Sequence, residues 1–179
     1  MNETELLDVF IQQGTAWVRQ LRNAHRPRGR PLSTDEWTAL AAYFSPHILE
    51  KTRLDFVPRI ENPPFYQQLS FTPPDFTQWG LTVHDTVLIV ESQTSNLPLL
   101  FHELVHVVQY DILGIDECIK QYVTGWAMNG KMYEQIPAEQ EARAMQAQFE
   151  GGATPFQVAD FVGARIKGSI KSYNATDPC

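Results

Sequence analysis

The stretch from residue 95 to residue 114 has the composition of a helix buried on most of its surface, because leucine and valine recur through its whole length. Asn96 or Ser95 can cap its first free amides, and Pro98 fits the first turn, where its missing N–H leaves no hydrogen bond unmade. Gly114 can end the helix in a left-handed conformation. The pattern therefore predicts a helix, and a polar side chain in its middle needs a partner.

Three such polar side chains, His102, Glu103 and His106, form the motif H-E-x-x-H in the middle of this helix. Residues four apart on an α-helix lie one above the other, about 6 Å along the axis, so both imidazoles can reach one metal ion at about 2 Å. Glu103 is turned about 100° from His102, which places its carboxylate beside the ion without making it a ligand. The spacing therefore predicts a Zn²⁺ site with two histidine ligands and Glu103 as general base. A histidine pair without a metal is the alternative.

Length and charge limit the partners and the compartment. With 179 residues, of which 43% are hydrophobic, residues 1–179 are predicted to form a single domain with one core. The net charge of −7 disfavours a nucleic acid or an anionic membrane as partner. The N-terminal segment is acidic and no apolar run reaches about 18 residues, so we expect a cytoplasmic protein, with secretion lacking a cleaved signal left open. Two cysteines, Cys118 and Cys179, are too few for a disulfide framework.

Hydrophobic periodicity divides the rest of the chain into short helices and strands. Helices are predicted over residues 4–22, 33–44, 115–126, 137–149 and 154–168, and strands over residues 52–60 and 81–90. The second strand directly precedes the helix with the histidines, and its free edge could hold an extended peptide. His84 is predicted to lie on a face of that strand. Together these elements predict an α+β fold, with helices packed on a small β-sheet.

Two irregular segments connect these elements. Residues 22–30 hold four arginines and a histidine. They are predicted to form a solvated connector, with contact to an anion or an acidic partner as the alternative. Residues 61–80 interleave four prolines with five aromatic residues. Packing of these rings over the core is the prediction, and a wall of a substrate cleft is the alternative.

A catalytic zinc ion usually has three protein ligands, so a third must come from another part of the chain. A further histidine six residues after His106 would complete one known pattern, but that position is Ile112. Glu139 and Glu141, in the predicted helix 137–149, are the candidates. They flank its apolar stripe on opposite sides, so helix geometry does not choose between them.

These motifs resemble those of the gluzincin branch of the zincin metallopeptidases, particularly compact minimal gluzincin-like domains. In that family H-E-x-x-H is followed by a helix with a ligand glutamate and a small residue three positions later, which here is Glu139-Gln140-Glu141-Ala142. The resemblance implies a zincin-like fold, with HExxH on a central helix. It also implies His102, His106 and Glu139 as the metal ligands and Glu103 as the base.

The chain departs from the family at Arg143, where the family often has an aspartate or asparagine that supports a ligand histidine. Such a partner normally fixes the orientation of the imidazole ring, and Asp111 and Glu134 are the candidates for it here. A side chain that stabilises the oxyanion is also expected. Tyr133 and Tyr122 are the candidates for that role.

The predicted function is zinc-dependent hydrolysis of peptide bonds in a peptide or protein substrate. In this mechanism zinc polarises the carbonyl and activates water, and Glu103 takes the proton of that water and delivers it to the leaving amine. One alternative is a catalytically silent, zinc-stabilised domain that binds a partner protein through residues 61–80. Another is a zinc hydrolase that acts on a non-peptide amide.

Overall fold

Six α-helices and three strands make up the part of the chain that this computed structural model describes, residues 2–64 and 78–174. The helices are α1 (Glu3–His25), α2 (Thr34–Leu40), α3 (Pro46–Lys51), α4 (Leu97–Met128), α5 (Pro137–Glu150) and α6 (Val158–Asn174). The strands are β1 (Arg53–Val57), β2 (Gly80–Val83) and β3 (Thr86–Val90). The α+β class predicted from the sequence is confirmed. Within the described ranges, no helix combines the length and the apolarity that crossing a bilayer requires.

Each predicted helix has a counterpart in the structure, but α3 was not predicted, and α6 begins at Val158 instead of residue 154. Asn2 caps α1, because its side chain accepts a hydrogen bond from the Glu5 amide at 2.9 Å. The Glu5 carboxylate reaches back to the Asn2 amide at 2.9 Å, which completes a capping box. Compared with the predictions, α2 ends earlier and α6 ends later.

A kink at Gly114 divides α4 into a first half, residues 97–113, and a second half, residues 115–128. Gly114 has φ 73° and ψ 170°, a conformation that is essentially restricted to glycine. Asn96 caps the first half, because its side chain accepts a hydrogen bond from the Leu99 amide at 3.0 Å. The prediction of one helix ending at Gly114 and another starting after it is confirmed.

The sheet has the strand order β1-β3-β2, with β1 parallel and β2 antiparallel to β3. The sequence predicted one strand over residues 81–90, which is wrong: His84 and Asp85 form a turn between β2 and β3, and His84 has φ 67°. The Asp85 carboxylate accepts two hydrogen bonds from Arg22, at 2.7 and 2.8 Å. A contact with α1 therefore stabilises a turn that lacks the glycine or asparagine common in short hairpins. A 3₁₀ turn, Glu91–Gln93, leads from β3 into α4.

The first half of α4 packs against two groups of buried apolar residues. Alternate residues of a strand point to opposite faces of the sheet. Val87 and Ile89 of β3 accordingly belong to a group with α4, α5 and α6, whereas Leu88 belongs to a group with α1 and the second half of α4. The rings of Phe101 in α4 and Phe149 in α5 stack with their centroids 4.5 Å apart. The helix with the H-E-x-x-H motif is therefore held on several sides.

The basic segment at the end of α1 is not the solvated connector that the sequence predicted. Besides Arg22 on Asp85, the Arg28 guanidinium lies 2.8 Å and the His25 ring nitrogen 2.7 Å from Asp55 Oδ2. Asp55 and Asp85 are only 8% and 4% exposed. These pairs compensate two buried carboxylates and attach the C-terminal end of α1 to the sheet.

Most of the aromatic-proline segment, residues 65–77, lies outside the described residues, and so does Cys179. The interpretations given for them stay predictions. Cys118 is a free, buried thiol in the second half of α4.

Candidate metal centre

Three buried side chains, those of His102, His106 and Glu139, converge on one point between α4 and α5. The two histidine Nε2 atoms are 3.1 Å apart, and Glu139 Oε2 lies 3.4 Å from Nε2 of His102 and 3.6 Å from Nε2 of His106. Neighbouring ligand atoms of a tetrahedral zinc site with bonds of about 2 Å lie about 3.3 Å apart. The three atoms therefore have the spacing of three corners of such a site.

The two helices explain this arrangement. α4 presents its histidines one turn apart on one face, and α5 presents Glu139 in its first turn. Ala142, one turn further along α5, is fully buried, and its small side chain lets the helices approach each other. Glu141 does not join the histidines, because its carboxylate accepts a hydrogen bond from Gln109 and lies beside Arg165. Of the two candidate glutamates, Glu139 is the one at the centre.

The Glu139 carboxylate fits a role as metal ligand. It is 3% exposed, and its Oε1 accepts a hydrogen bond from the Tyr122 hydroxyl at 3.1 Å. Its Oε2, the atom that faces the histidines, has no hydrogen-bond partner in the described part of the chain. A buried carboxylate oxygen without a partner is costly, and a cation at the centre would compensate it. This buried His-His-Glu group could hold a metal ion.

The charges at the centre depend on one another. Burial opposes the charge on His106, but the carboxylates of Glu139 and Glu103 more than offset this effect and raise its pKa to about 9. Burial likewise opposes the charge on Glu139, but the histidines lower the pKa of its carboxyl well below the usual range. Without a metal ion, the centre therefore holds a protonated His106 beside an ionised Glu139 at neutral pH.

Metal binding is expected to depend on pH, because a ligand imidazole must lose this proton. The pKa of His106 is raised, so the proton competes with the metal below about pH 9, and this competition ends as the pH rises through that value. We expect the apparent affinity for zinc to increase about tenfold for each pH unit from about pH 7 and to level off near pH 9. Titration against a chromophoric chelator of known pH dependence measures this slope. A zinc affinity that does not change with pH would show that zinc binding displaces no proton from His106.

Glu103 lies beside the three converging atoms rather than among them. It is 4% exposed, and its Oε2 accepts a hydrogen bond from the Thr82 hydroxyl at 2.7 Å. Burial raises the pKa of its carboxyl, although both ligand histidines act in the opposite direction. Its Oε1 lies against Gly80, where an added Cβ atom would be only 2.3 Å away. β2 therefore holds the Glu103 carboxylate through the Thr82 hydroxyl and leaves space for it at Gly80.

Replacing Gly80 with alanine is expected to displace the Glu103 carboxylate and to lower the free energy of unfolding by about 1–3 kcal/mol, as overpacking usually does. Gly163→Ala is the matched control. A Cβ at Gly163 in α6 meets nothing within 4 Å, and alanine is the better helix former, so no loss of stability is expected there. Urea unfolding of both variants tests the prediction. Equal stability of the two would show that space at Gly80 is not needed.

A cavity of about 190 Å³ opens beside the centre, with Glu103, His106 and Glu139 in its wall. Its other walls come from α1, β2, both halves of α4 and the segments around residues 62, 78 and 133, and they include the aromatic residues Phe10, Trp17, Tyr110, Tyr122, Trp126 and Tyr133. Among the lining residues that the structure describes there is no lysine or arginine. The Cys118 thiol also lines the cavity, and burial raises its pKa to about 12, so it is uncharged at neutral pH. The space beside the centre is therefore apolar and aromatic.

Both tyrosines that were candidates for stabilising an oxyanion are found at Glu139. Tyr122 donates a hydrogen bond to this carboxylate, and Tyr133 lies near enough for the charge of Glu139 to affect its pKa. Burial raises the pKa of Tyr133, so its phenol keeps its proton. The guanidinium of Arg143 lies over the Tyr133 ring, 5.1 Å from its centroid. The Tyr122 hydroxyl thus holds the Glu139 carboxylate, and both tyrosines line the cavity.

The predicted partners of the ligand histidines are wrong. Asp111 pairs with Lys51 and His47 instead. Glu134 does not serve as this partner either, because His106 Nδ1 is hydrogen-bonded to Gln109 Oε1 at 2.8 Å and His102 Nδ1 has no hydrogen-bond partner among the described residues.

The residue that the sequence interpretation missed is Gln109. It follows His106 by three positions, a spacing that places both on one helix face, and it is a polar residue in a helix predicted to be buried. That signal could have identified it.

Comparisons with protein-family models, with curated proteins and with solved structures give no significant match. What the centre does must therefore be inferred from its own chemistry.

Proposed function

We propose that this protein is a zinc-dependent hydrolase of peptide bonds, with a site of the gluzincin type in a zincin-like fold. The observation that carries the proposal is the buried group of His102, His106 and Glu139 with a fourth side chain, Glu103, beside it in the wall of the same cavity. Two histidines and a carboxylate are a common ligand set of catalytic zinc, which keeps a position open. Zinc bound there would lower the pKa of a water molecule towards neutrality and polarise the carbonyl of the substrate.

Glu103 is the general base of this proposal. Thr82 fixes one oxygen of its carboxylate, so the side chain is held in one orientation before substrate binds. Its raised pKa suits a group that takes a proton and then returns it to the leaving amine. Since it makes no contribution to the ligand triad, it stays available for this transfer.

The proposed substrate is an extended peptide with an apolar side chain near the scissile bond. β2 is an outer strand of the described sheet and runs past Glu103, so a peptide pairing with its free edge would pass the metal centre. A cavity of about 150 Å³ lined by apolar residues accommodates a benzene ring. The cavity of about 190 Å³ is therefore large enough for an aromatic or branched aliphatic side chain. Because no lysine or arginine is among its described lining residues, we do not expect it to bind a terminal carboxylate.

The test is a screen of internally quenched peptides that vary in the residues around the scissile bond. We expect cleavage beside a large apolar residue by zinc-loaded protein, loss of cleavage after chelation, and recovery when zinc is returned. A parallel panel of N-acyl amides without a peptide bond tests the alternative that the protein hydrolyses non-peptide amides. Cleavage of that panel alone would show that the substrate is a non-peptide amide and not a peptide. Cleavage of neither panel by fully zinc-loaded protein would contradict the proposed function.

A further inference from the structure

The side chain of Gln109 connects the metal centre to two other helices. It is 1% exposed, and its two ends have different partners. Its Oε1 is 2.8 Å from His106 Nδ1, whereas its Nε2 is 2.8 Å from Glu141 Oε2 and 3.2 Å from the Ala138 carbonyl oxygen. We propose that Gln109 is the positioning residue that fixes both the tautomer and the ring orientation of His106. This inference rests on the metal site of the proposed function but not on turnover.

The partners of the amide determine which of its ends faces the histidine. An ionised carboxylate and a backbone carbonyl can only accept hydrogen bonds, so the end that faces Glu141 and Ala138 must be the NH₂ group. The end that faces His106 is then the carbonyl oxygen, which also can only accept. His106 Nδ1 must therefore carry the hydrogen.

This assignment leaves the lone pair of the neutral His106 ring on Nε2. That atom lies 3.1 Å from His102 Nε2 and 3.6 Å from Glu139 Oε2, which is where a metal ion would bind. The wrong tautomer would point an N–H group at the ion instead. Gln109 thus favours the form of the imidazole that can act as a ligand.

Two contacts keep the Gln109 amide from rotating by 180°, a rotation that would exchange its oxygen and its nitrogen. Arg165 Nε of α6 lies 2.9 Å from Glu141 Oε1 and places a positive charge on the far side of that carboxylate. The Ala138 carbonyl belongs to the residue immediately before Glu139, so the same amide also ties the start of α5 to α4. Side chains from α4, α5 and α6 therefore form a continuous chain, His106-Gln109-Glu141-Arg165, that ends at the metal centre.

His102 and His106 differ in whether the Nδ1 atom has a hydrogen-bond partner. His102 Nδ1 is buried and has no hydrogen-bond partner in the described part of the chain, whereas His106 Nδ1 has Gln109. Loss of Gln109 would therefore leave neither Nδ1 atom with a hydrogen-bond partner among the described residues.

The first test is Gln109→Leu, which keeps the approximate size of the side chain and removes both hydrogen-bonding ends. We expect its dissociation constant for zinc, measured by chelator competition, to be about 10- to 100-fold higher. In imidazole ¹H–¹⁵N spectra of the zinc-loaded protein, the His106 Nδ1–H signal should exchange with water faster than in the wild type. Thr52→Val is the matched control, since Thr52 is fully buried and its hydroxyl donates to the Ile48 carbonyl at 2.7 Å, outside this chain of contacts. It should lose stability without changing either readout.

A charge swap keeps the inference testable if Gln109→Leu does not fold. Gln109→Glu places a second carboxylate against Glu141 and should weaken zinc binding. Adding Glu141→Gln restores a donor–acceptor pair between these positions and leaves an acceptor for His106. The double variant should therefore bind zinc at least about tenfold more tightly than Gln109→Glu and should recover the slowly exchanging Nδ1–H signal.

Two outcomes would overturn the inference: wild-type zinc affinity and Nδ1–H exchange in Gln109→Leu, or no recovery in the double variant. All readouts concern metal binding. A wild-type protein that binds zinc but cleaves no substrate would therefore contradict the proposed function alone.

Discussion

Replacing Glu103 with glutamine is expected to abolish turnover while zinc stays bound. Glutamine has the shape of glutamate, and its carbonyl oxygen can still accept the hydrogen bond that Thr82 donates at 2.7 Å. It cannot take a proton from water, and loss of a general base typically lowers the rate about 10²- to 10⁴-fold. The measurement is kcat/KM on the best quenched peptide, together with the zinc content per chain by elemental analysis.

Two other results would be informative about Glu103. An unchanged rate would remove it as the base. Loss of zinc together with the rate would make it a ligand, which the arrangement of the other three side chains does not suggest. Glu50→Gln, at an exposed position on α3, is the control for loss of one negative charge and should change neither quantity.

Removal of a metal ligand should have a larger effect on zinc binding than any other substitution. His102→Ala and Glu139→Ala each leave two of the three converging atoms, so we expect affinity to fall by more than the roughly 10- to 100-fold typical of residues around the ligands. Purified protein should then contain well under one zinc per chain. In the wild type, zinc at about a thousand times its dissociation constant stabilises the fold by about 4 kcal/mol, which corresponds to a Tm increase of roughly 10 °C. Both variants should lose that increase.

Glu141→Ala is the matched control for Glu139→Ala, because the two residues lie on the same turn of α5. Glu141 contacts Gln109 and Arg165 instead of the histidines, so this variant should still bind stoichiometric zinc, although more weakly. If His102→Ala bound nearly one zinc per chain with wild-type affinity, the assignment of the metal centre would be wrong.

The three side chains of the metal centre show which features of the site the sequence alone can predict. The spacing of His102 and His106 is fixed by one helix, so the sequence alone predicts that they can share an ion. The third side chain comes from another helix, and helix geometry left Glu139 and Glu141 equivalent. Only the packing of α5 on α4, with Ala142 at the close approach, places one of them at the centre. The identity of the metal and the reaction stay predictions.

The errors have a common physical cause, which is tertiary contact. Residues 81–90 are rich in β-branched residues and read as one strand, but the pairs between Arg22 and Asp85 stabilise a turn in the middle. The arginines after α1 look like a solvated run, yet they compensate buried carboxylates that lie far away in the sequence. Local propensity carries no information about either contact. In contrast, the starts of α2 and α4 follow capping residues close in sequence and were predicted closely, whereas α3 was missed.

The kink at Gly114 has a consequence for how such a site can change over time. The first half of α4 carries both histidines, and the second half carries Cys118 and Tyr122 of the cavity wall. A small rotation of the backbone at Gly114 would widen or narrow the cavity and leave the spacing of the histidines as it is, because that spacing is internal to the first half. The shape of the cavity and the spacing of the histidine pair can therefore change independently, although residues of α4 contribute to both.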